Sequence, residues 1–364
     1  MQQILMKLTI RTILASVMAI TAVACGTRET EAGFVMEDTG WPAESSEGYS
    51  EGVSAPFCTV FEGRPLIAGG ANFPDVPAAD GGTKRFYSDI QVLGDDGWYR
   101  AGELPFPLAY GGCVCADGQT VLAGGSNSSG TVADVFQLVP LGAGVVALPM
   151  TPLPYPVEQA GYAADGSVVY VAGGITPDGV NMKVLAGKIR GLDIEWEETA
   201  PMPEPLVQPV AFITGGHLHV WGGFDPQAKT VSSKGWKMDL ETRRWEEAGE
   251  GPDGETFAGA AAVVLADGKA VAAGGVDKDI FTWGLSGKDK DRYMRMAPEE
   301  YGFNRSLRIY DPEKGEWSSA GEAEAFALAG AGMTTDGSSI YIIGGEIKPG
   351  IRTPRTWKTE LTIK

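Results

Sequence analysis

The sequence predicts an all-β fold, a six-bladed β-propeller, from a repeat and from a turn pattern. Within the 364 residues, a short apolar run ends in a glycine doublet six times, at intervals of 49 to 70 residues. A repeat of this length with one strand-terminal doublet per copy is typical of four-stranded propeller blades. Asp-Gly pairs precede several of these runs, and Asp-Gly favours hairpins because both residues tolerate positive φ. The doublets are Gly69-Gly70, Gly124-Gly125, Gly173-Gly174, Gly222-Gly223, Gly274-Gly275 and Gly344-Gly345.

Each repeat divides into four predicted strands, the arrangement of a kelch-type propeller. A strand of small residues such as GGCVCADG comes first, because the innermost strands of a propeller converge on its axis. The apolar strand that ends in the doublet follows, and a strand of alternating polar residues such as SLRIYDP comes third. In four repeats the last strand begins at a tryptophan. These tryptophans are Trp98, Trp196, Trp245 and Trp317.

The last repeat supplies only three strands, so the ring needs a fourth from elsewhere. The stretch 34–41 near the N-terminus has the pattern of an outer strand, and we expect Trp41 to stand where other blades have their tryptophan. Pairing of the N-terminal and C-terminal strands in the last blade closes the ring and removes a free sheet edge. The predicted domains are a signal peptide at 1–24, a linker at 25–33 and a six-bladed propeller at 34–364.

The stretch 1–24 has the pattern of an export signal. Lys7 and Arg11 precede an apolar run over 13–24 that is too short to span a bilayer. The run is followed by Cys25, which is either the lipidated residue of a bacterial lipoprotein or the first residue after an ordinary cleavage site. Both interpretations predict a protein of the bacterial cell envelope, in the periplasm or at the outer membrane. Because one acyl chain anchors weakly, firm attachment requires several.

The acidic composition and the cysteine count narrow the class of protein. A formal net charge of -18 at pH 7 argues against nucleic acids and anionic membrane surfaces as partners, so the lipid anchor is the expected membrane contact. Cys58, Cys113 and Cys115 remain after export, and an odd number argues against a disulfide framework. Cys58 and Cys113 each lie 11 residues before a doublet. We expect small buried residues at equivalent positions of neighbouring blades, with a disulfide or a nucleophile as alternatives.

Loop lengths point to one region of the ring. Strands alternate in direction, so every segment that follows a doublet leaves on the same face of the propeller. From the second glycine to the blade tryptophan there are 22 residues in blades 3 and 4, 28 in blade 1 and 42 in blade 5. The extra chain falls around 73–86 and 281–304, in the two blades that flank blade 6. Long structured insertions are often functional, so we expect a site beside blade 6, with structural decoration as the alternative.

The segment after the blade 6 doublet, GEIKPGIRT, carries Glu346 and Arg352. Pro349-Gly350 is a turn dipeptide that can fold the chain back and bring both charged side chains to one cavity. In most proteins such a pair is a plain salt bridge. At the mouth of a propeller axis the pair also has a chemical use, because a glutamate exchanges protons with a sugar hydroxyl and an arginine binds an anionic group through two hydrogen bonds.

The same segment resembles the equivalent motif of the bacterial N-acetylneuraminate epimerases, the sialic acid mutarotases, which are periplasmic six-bladed kelch propellers. Counterparts of GGVDKDIF in blade 5 and AGGANF in blade 1 extend the resemblance. The GEIKPGIR blade closes this chain but lies mid-chain in the enterobacterial enzyme, so the sequence resembles the circularly permuted branch of the family. Asp277 departs from the family pattern, where we expect asparagine.

The resemblance implies a role for both charged residues of the motif. Glu346 is the expected proton acceptor and donor, and Arg352 is expected to bind the substrate carboxylate. The implied reaction interconverts the α- and β-anomers of N-acetylneuraminate by acid–base ring opening and closure, without a cofactor or a metal. The flanking insertions offer further substrate contacts, unless their residues are merely solvated or structural. These candidates are Asn72, Lys84, Arg85, Asn304 and Arg305, and the apolar Phe73 and Phe281.

Two other functions fit the same sequence. A lipid-anchored kelch module could bind a glycan or a protein without chemistry, and a mutarotase could act on a different acidic sugar. A metal site is disfavoured, because His217 and His219 alternate along one strand without a cysteine or an acid at metal-ligand spacing. The ligand that the resemblance implies is a small acidic sugar, sialic acid.

Overall fold

The computed structural model describes residues 33–42 and 45–362, and it folds them into six four-stranded antiparallel sheets arranged as the blades of a propeller. The predicted signal peptide and Cys25 lie outside the described residues. From the innermost to the outermost strand, the blades are Phe57–Phe61, Arg64–Ala68, Asp89–Gly94 and Gly97–Glu103 (blade 1); Gly112–Ala116, Gln119–Ala123, Val135–Leu141 and Gly144–Pro149 (blade 2); Gly161–Asp165, Val168–Ala172, Val184–Arg190 and Asp193–Glu198 (blade 3); Val210–Thr214, His217–Trp221, Lys234–Asp239 and Trp245–Glu250 (blade 4); Ala260–Val264, Ala270–Gly274, Ser306–Asp311 and Glu316–Glu322 (blade 5); and Gly332–Thr335, Ile340–Ile343, Thr356–Thr362 and Gly33–Asp38 (blade 6).

The two ends of the described chain close the ring, as the sequence predicts. Gly33–Asp38 pairs antiparallel with Thr356–Thr362 as the outer strand of blade 6. The position predicted for Trp41 is wrong, because this tryptophan lies beyond the end of the outer strand instead of near its start. Its indole Nε1 donates to the carbonyl oxygen of Tyr49 at 3.0 Å, and its ring stacks on the Tyr49 ring. Trp41 therefore packs against Tyr49, in the segment that leads into blade 1.

The glycine doublets join each blade to the next. All twelve glycines have positive φ, between 63° and 101°. In five doublets the second glycine donates its N–H, at 2.8 to 2.9 Å, to a carbonyl oxygen at the entry of the following blade. A Cβ on the first glycine of the same five doublets would lie 2.1 to 2.6 Å from that oxygen, so only glycine fits. The five accepting residues are Leu108, Val157, Leu206, Leu328 and Val53.

A closed ring of hydrogen bonds surrounds the axis on the face where the doublets end. Just before each innermost strand, one residue adopts the left-handed conformation, with φ from 51° to 72°. The N–H of each such residue donates to the carbonyl oxygen of its counterpart in the preceding blade, at 2.7 to 3.1 Å, and the last bond returns to the first blade. In blade order the six residues, which we call the axial ring, are Ala55, Tyr110, Gln159, Gln208, Gly259 and Gly330.

Short elements project from the same face. Two-stranded ribbons follow the doublets of five blades, whereas blade 5 has two α-helices, Lys278–Ser286 and Lys290–Arg295. Among residues 33–42 and 45–362, neither helix has the length and apolar character needed to cross a membrane. The ribbons are Ala71–Asn72 with Arg85–Phe86, Ser126–Asn127 with Gly130–Thr131, Ile175–Thr176 with Gly179–Val180, Phe224–Asp225 with Thr230–Val231, and Glu346–Lys348 with Ile351–Arg352. The 3-10 helices are Tyr49–Glu51, Ala78–Asp80, Pro252–Gly254, Pro298–Tyr301 and Glu324–Phe326.

Candidate active site

The ribbon of blade 6 carries an ion pair where other ribbons carry uncharged side chains. Its first residue, Glu346, lies opposite Arg352. Glu346 is fixed to the entry of its own blade by two backbone hydrogen bonds with Ala329, at 2.7 and 3.0 Å. The equivalent pairs of blades 1 to 4 are Ala71 with Phe86, Ser126 with Thr131, Ile175 with Val180, and Phe224 with Val231.

The Pro349-Gly350 turn brings the two charges together. Gly350 has φ 83°, and a Cβ there would lie 2.5 Å from the Cβ of Ala78, so the turn packs tightly against the blade 1 insertion. Nη1 of Arg352 lies 2.5 Å from Oε1 of Glu346, and the arginine side chain is 2% exposed against 25% for the glutamate. Nε of Arg352 donates to the carbonyl oxygen of Ala71 at 3.2 Å. Nη1 meets no acceptor other than Glu346 among the described residues.

A second cation lies close to this pair. Both cations lie near the ring of Phe73. The guanidinium carbon of Arg352 is 5.3 Å from the ring centroid, and the ammonium of Lys84 is 5.9 Å from it. Nζ of Lys84 donates to the hydroxyl of Tyr110 at 2.7 Å, and no carboxylate of the described residues lies within 4.0 Å of it. Two cations and one carboxylate leave this cluster positive within a strongly acidic chain. Such a site favours an anionic ligand.

The insertions of blades 1 and 5 meet above the blade 6 ribbon, which confirms the prediction that they crowd around this blade. Arg295, in the second helix of blade 5, pairs with Asp80 of the blade 1 insertion at 2.8 Å. Nζ of Lys348 donates to the carbonyl oxygen of Met296 at 3.0 Å, which ties the ribbon to the same helix. A cavity of about 280 Å³ lies between the three segments. Burial, and then the charges of Tyr301 and Glu346, raise the pKa of Tyr293, which packs beside the ribbon.

Two blade 1 candidates have other partners. Asn72 is buried, donates to the carbonyl oxygens of Gly48 and Gly52 at 2.8 Å each, and accepts from the hydroxyl of Tyr87 at 2.7 Å. Its hydrogen bonds hold the segment before blade 1 in place. Arg85 pairs with Asp75 at 2.7 Å on the surface. The structure therefore places Lys84 and Phe73 in the cluster of Glu346 and Arg352, but it does not bring Asn72 or Arg85 into contact with that pair.

The blade 5 candidates also have structural contacts. Asn304 donates to the carbonyl oxygens of Thr256 and Gly274, at 2.9 and 3.3 Å. Arg305 is exposed and pairs with Glu324. Phe281 packs edge-on against Phe224 of blade 4, with ring centroids 5.0 Å apart. Asp277 caps the first helix, because its Oδ1 accepts from the N–H of Ile280 at 2.8 Å.

Sequence reasoning missed the side chains of the axial ring. Tyr110, Gln159 and Gln208 occupy ring positions where the other three blades have alanine or glycine. Nε2 of Gln208 donates to Oε1 of Gln159 at 2.7 Å. The sequence signal was a large or polar residue immediately before the strand of small residues.

The thiols and histidines lie away from the cluster. Cys58, Cys113 and Cys115 line an axial cavity of about 500 Å³ formed by the innermost strands of all six blades. Cys58 and Cys113 occupy equivalent second positions of their strands, as predicted, but they are half-buried where we expected buried residues. Desolvation raises the pKa of the Cys113 thiol to about 12. Cys113 is therefore a neutral thiol near neutral pH, which argues against a nucleophile. In the part of the chain that the structure describes, no group of three or more His, Cys, Asp or Glu side chains is placed to bind a metal.

Comparisons with known proteins identify the family of the chain. The family model of N-acetylneuraminate epimerase matches residues 151–364. The N-acetylneuraminate epimerase of Yersinia pestis is 34% identical over 136 residues, which are 34% of this chain and 34% of that protein. The protein of the same name from Escherichia coli K12 is 34% identical over 108 residues, 26% of this chain and 29% of that protein. The chain thus spans about a third of the length of these curated relatives.

A solved structure titled "Structure of YjhT" matches with a TM-score of 0.52 and 28% sequence identity, over 58% of this chain and 65% of that one. Partial coverage is expected for a circularly permuted ring, because an alignment in chain order stops where the ring is joined. The family match covers more than half of the residues and includes the Glu346–Arg352 ribbon. This chain belongs to the N-acetylneuraminate epimerase family.

Proposed function

We propose that the protein is a sialic acid mutarotase, an isomerase that interconverts the α- and β-anomers of N-acetylneuraminate. The observation that carries the proposal is the Glu346–Arg352 pair, which replaces an uncharged ribbon pair beside the axial ring. Lys84 adds a second positive charge without a carboxylate partner in the described residues. A carboxylate on the substrate would balance the charge of this cluster.

The chemistry follows from the substrate. Sialic acid is a cyclic hemiketal at C2 with a carboxylate at C1, so Arg352 would bind the carboxylate through its guanidinium group. Glu346 would take the proton of the anomeric hydroxyl while the bond between C2 and the ring oxygen breaks and the ring oxygen gains a proton to become a hydroxyl. Rotation about the C2–C3 bond then presents the other face of the C2 carbonyl to the hydroxyl that was the ring oxygen. Reclosure then returns a proton from Glu346 to the new anomeric oxygen.

Exchange between the anomers, measured by NMR, tests the proposal. We expect Glu346→Gln to lower kcat by about 10²- to 10⁴-fold, because general acid–base assistance has this magnitude. Glu158→Gln is a matched control. Glu158 is a half-buried acid at the entry of blade 3, on the same face of the propeller as Glu346, and its carboxylate accepts hydrogen bonds from the hydroxyls of Ser126 and Thr131. Its exchange rate should equal that of the wild type. Equal rates for Glu346→Gln and wild type, or wild-type exchange no faster than buffer, would overturn the proposal.

A non-catalytic glycan-binding module gives a different result in the same experiment. It binds the sugar saturably but leaves the exchange rate at the buffer value.

We also propose that the protein resides in the bacterial cell envelope, held by lipidated Cys25, because a short apolar run ends directly before this cysteine. Fractionation of cells that express the full chain checks the anchor, since a lipoprotein sediments with membranes and a cleaved soluble form does not.

A further inference from the structure

Mutarotation needs two proton-transfer groups, and this inference rests on the proposed function. Glu346 accounts for the proton of the anomeric hydroxyl. The ring oxygen becomes a hydroxyl when the ring opens, so it needs a proton donor at the same moment. Arg352 and Lys84 are assigned to binding the carboxylate of the substrate, which leaves the acid unassigned.

The axial ring holds Tyr110 beside this cluster. The N–H of Tyr110 donates to the carbonyl oxygen of Ala55 at 3.0 Å, and its own carbonyl oxygen accepts from Gln159 at 2.7 Å. Its φ is 64°, a left-handed conformation that costs a non-glycine residue about 1 kcal/mol or more. The ring bonds on both sides therefore fix its backbone. Its side chain is half-buried and packs edge-on against Phe86, with ring centroids 6.3 Å apart.

The hydroxyl of Tyr110 is arranged to donate a proton. It accepts a hydrogen bond from the ammonium of Lys84 at 2.7 Å, so its own proton is directed elsewhere. No acceptor among the described residues takes that proton. The hydroxyls of Tyr87 and Tyr341 instead donate to Asn72 and Asp336, at 2.7 and 2.8 Å. A neighbouring ammonium also stabilises the phenolate that proton donation leaves behind.

Phe73 connects the two ends of the site. Arg352 and Lys84 lie at 5.3 and 5.9 Å from the centroid of this one ring, so the carboxylate-binding group and the Tyr110 hydroxyl are separated by one side chain. A substrate with its carboxylate at Arg352 and its ring oxygen at Tyr110 would span the Phe73 ring.

We propose that Tyr110 is the general acid of ring opening. Glu346 takes the proton of the anomeric hydroxyl, and the electron pair of that O–H bond forms the C2 carbonyl. The bond between C2 and the ring oxygen breaks, and the ring oxygen takes the proton of Tyr110. The resulting phenolate is paired with Lys84. Reclosure runs the same transfers in reverse, so the enzyme returns to its starting protonation state.

The test compares Tyr110→Phe with the wild type in kcat, KM and Kd for N-acetylneuraminate, using NMR exchange and calorimetry. Phenylalanine retains the contact with Phe86 and the ring backbone, so a fold defect is not expected. We expect kcat to fall by about 10²-fold, the lower end of general acid catalysis, while Kd stays unchanged. Tyr155→Phe is the matched control, because Tyr155 is a half-buried tyrosine on the rim of blade 3 whose hydroxyl bonds Asn181.

Each outcome decides the matter. A lower kcat with unchanged Kd in Tyr110→Phe, and wild-type values in Tyr155→Phe, support the assignment. Wild-type kcat in Tyr110→Phe overturns it and leaves the mutarotase proposal intact, as does a parallel loss of kcat and affinity, which indicates a structural role. Absence of catalysed exchange in the wild type overturns the proposed function and this inference together.

Discussion

The ribbons of blades 3 and 6 start from equivalent positions of the fold but differ in the chemistry of their first pair. Both begin directly after a glycine doublet, and in both the first residue lies opposite the last. Blade 3 fills these positions with Ile175 and Val180, whereas blade 6 has Glu346 and Arg352. The fold therefore accepts an apolar pair at a position where blade 6 carries an ion pair that is largely buried on the arginine side.

This difference indicates that the charged pair of blade 6 is not needed for the stability of the fold. Taking an ion pair out of water costs several kcal/mol, and an apolar pair of similar size is often equally or more stable. Since the other ribbons show that uncharged pairs fit, stability alone does not explain the charges of blade 6. The axial ring shows the same division, with alanine or glycine in blades 5, 6 and 1 and with Tyr110, Gln159 and Gln208 in blades 2 to 4. The axial-ring positions of blade 6 and of its two neighbours therefore carry at most a methyl group.

Exchanging the ribbon pairs is the strongest way to break the comparison. We expect Glu346→Ile with Arg352→Val, the pair of blade 3, to lower kcat/KM by at least about 10³-fold, because the proposed base and the proposed carboxylate-binding residue are both removed. The free energy of unfolding should stay the same or rise by about 1–4 kcal/mol, since an uncompensated desolvation cost disappears. NMR exchange and urea unfolding measure the two quantities.

The single variant Arg352→Val sharpens this result. It leaves Glu346 half-buried without its partner, so it should be less stable than the double variant. If the double variant instead loses several kcal/mol, the ion pair supports the fold, and its chemical role needs other evidence.

Blade 3, which we assign to the scaffold, should show the reverse. A substitution there should lower the stability and leave the activity unchanged. Gly173→Ala in blade 3 places a Cβ 2.6 Å from the carbonyl oxygen of Leu206 at φ 70°, so we expect a loss of about 3 kcal/mol of stability from backbone strain and overlap. Gly166→Ala is the control, because Gly166 has φ 53° but open space around its Cβ, and it should cost about 1–2 kcal/mol. Chemical unfolding gives both values. The exchange rate per folded molecule should not change, and a fall in that rate would show that blade 3 contributes to the site.

The sequence was sufficient for features that depend on periodic pattern. The doublets predict six blades because each glycine must adopt positive φ, and the missing fourth strand of the last repeat predicts closure by the N-terminal strand. The Pro349-Gly350 turn likewise predicts that Glu346 and Arg352 meet, which they do at 2.5 Å.

Features that depend on distant backbone groups were not predictable. The partners of Asn72 are carbonyl oxygens of Gly48 and Gly52, in a segment without strand pattern, so the sequence alone could not show that its amide is occupied. Trp41 lies past its strand, because the chain turns at Gly40 with φ 81°. The left-handed backbone of Tyr110 is imposed by hydrogen bonds to Ala55 and Gln159, and a tyrosine gives no local signal for it.

The smallest expected effect concerns pH and the stability of blade 4. Burial, and then the charges of His217 and Lys237, lower the pKa of His219 to about 4 in the folded protein, whereas an exposed histidine titrates near 6.5. The unfolded chain then binds a proton more readily below pH 6.5, so stability from this group is complete above that pH and falls as the pH drops towards 4. Linkage gives a loss of about 2 kcal/mol at pH 5 relative to pH 8.

His219→Phe should remove this part of the pH dependence, because phenylalanine can keep the stacking on Phe212, where the ring centroids are now 5.0 Å apart, and cannot be protonated. Urea unfolding at pH 8 and pH 5 measures the change. An unchanged pH dependence in His219→Phe would mean that other groups dominate acid unfolding. A changed anomer exchange rate at pH 8 would contradict the assignment of blade 4 to the scaffold. His219 lies in this blade, and the paired position of its ribbon carries the uncharged Phe224 and Val231.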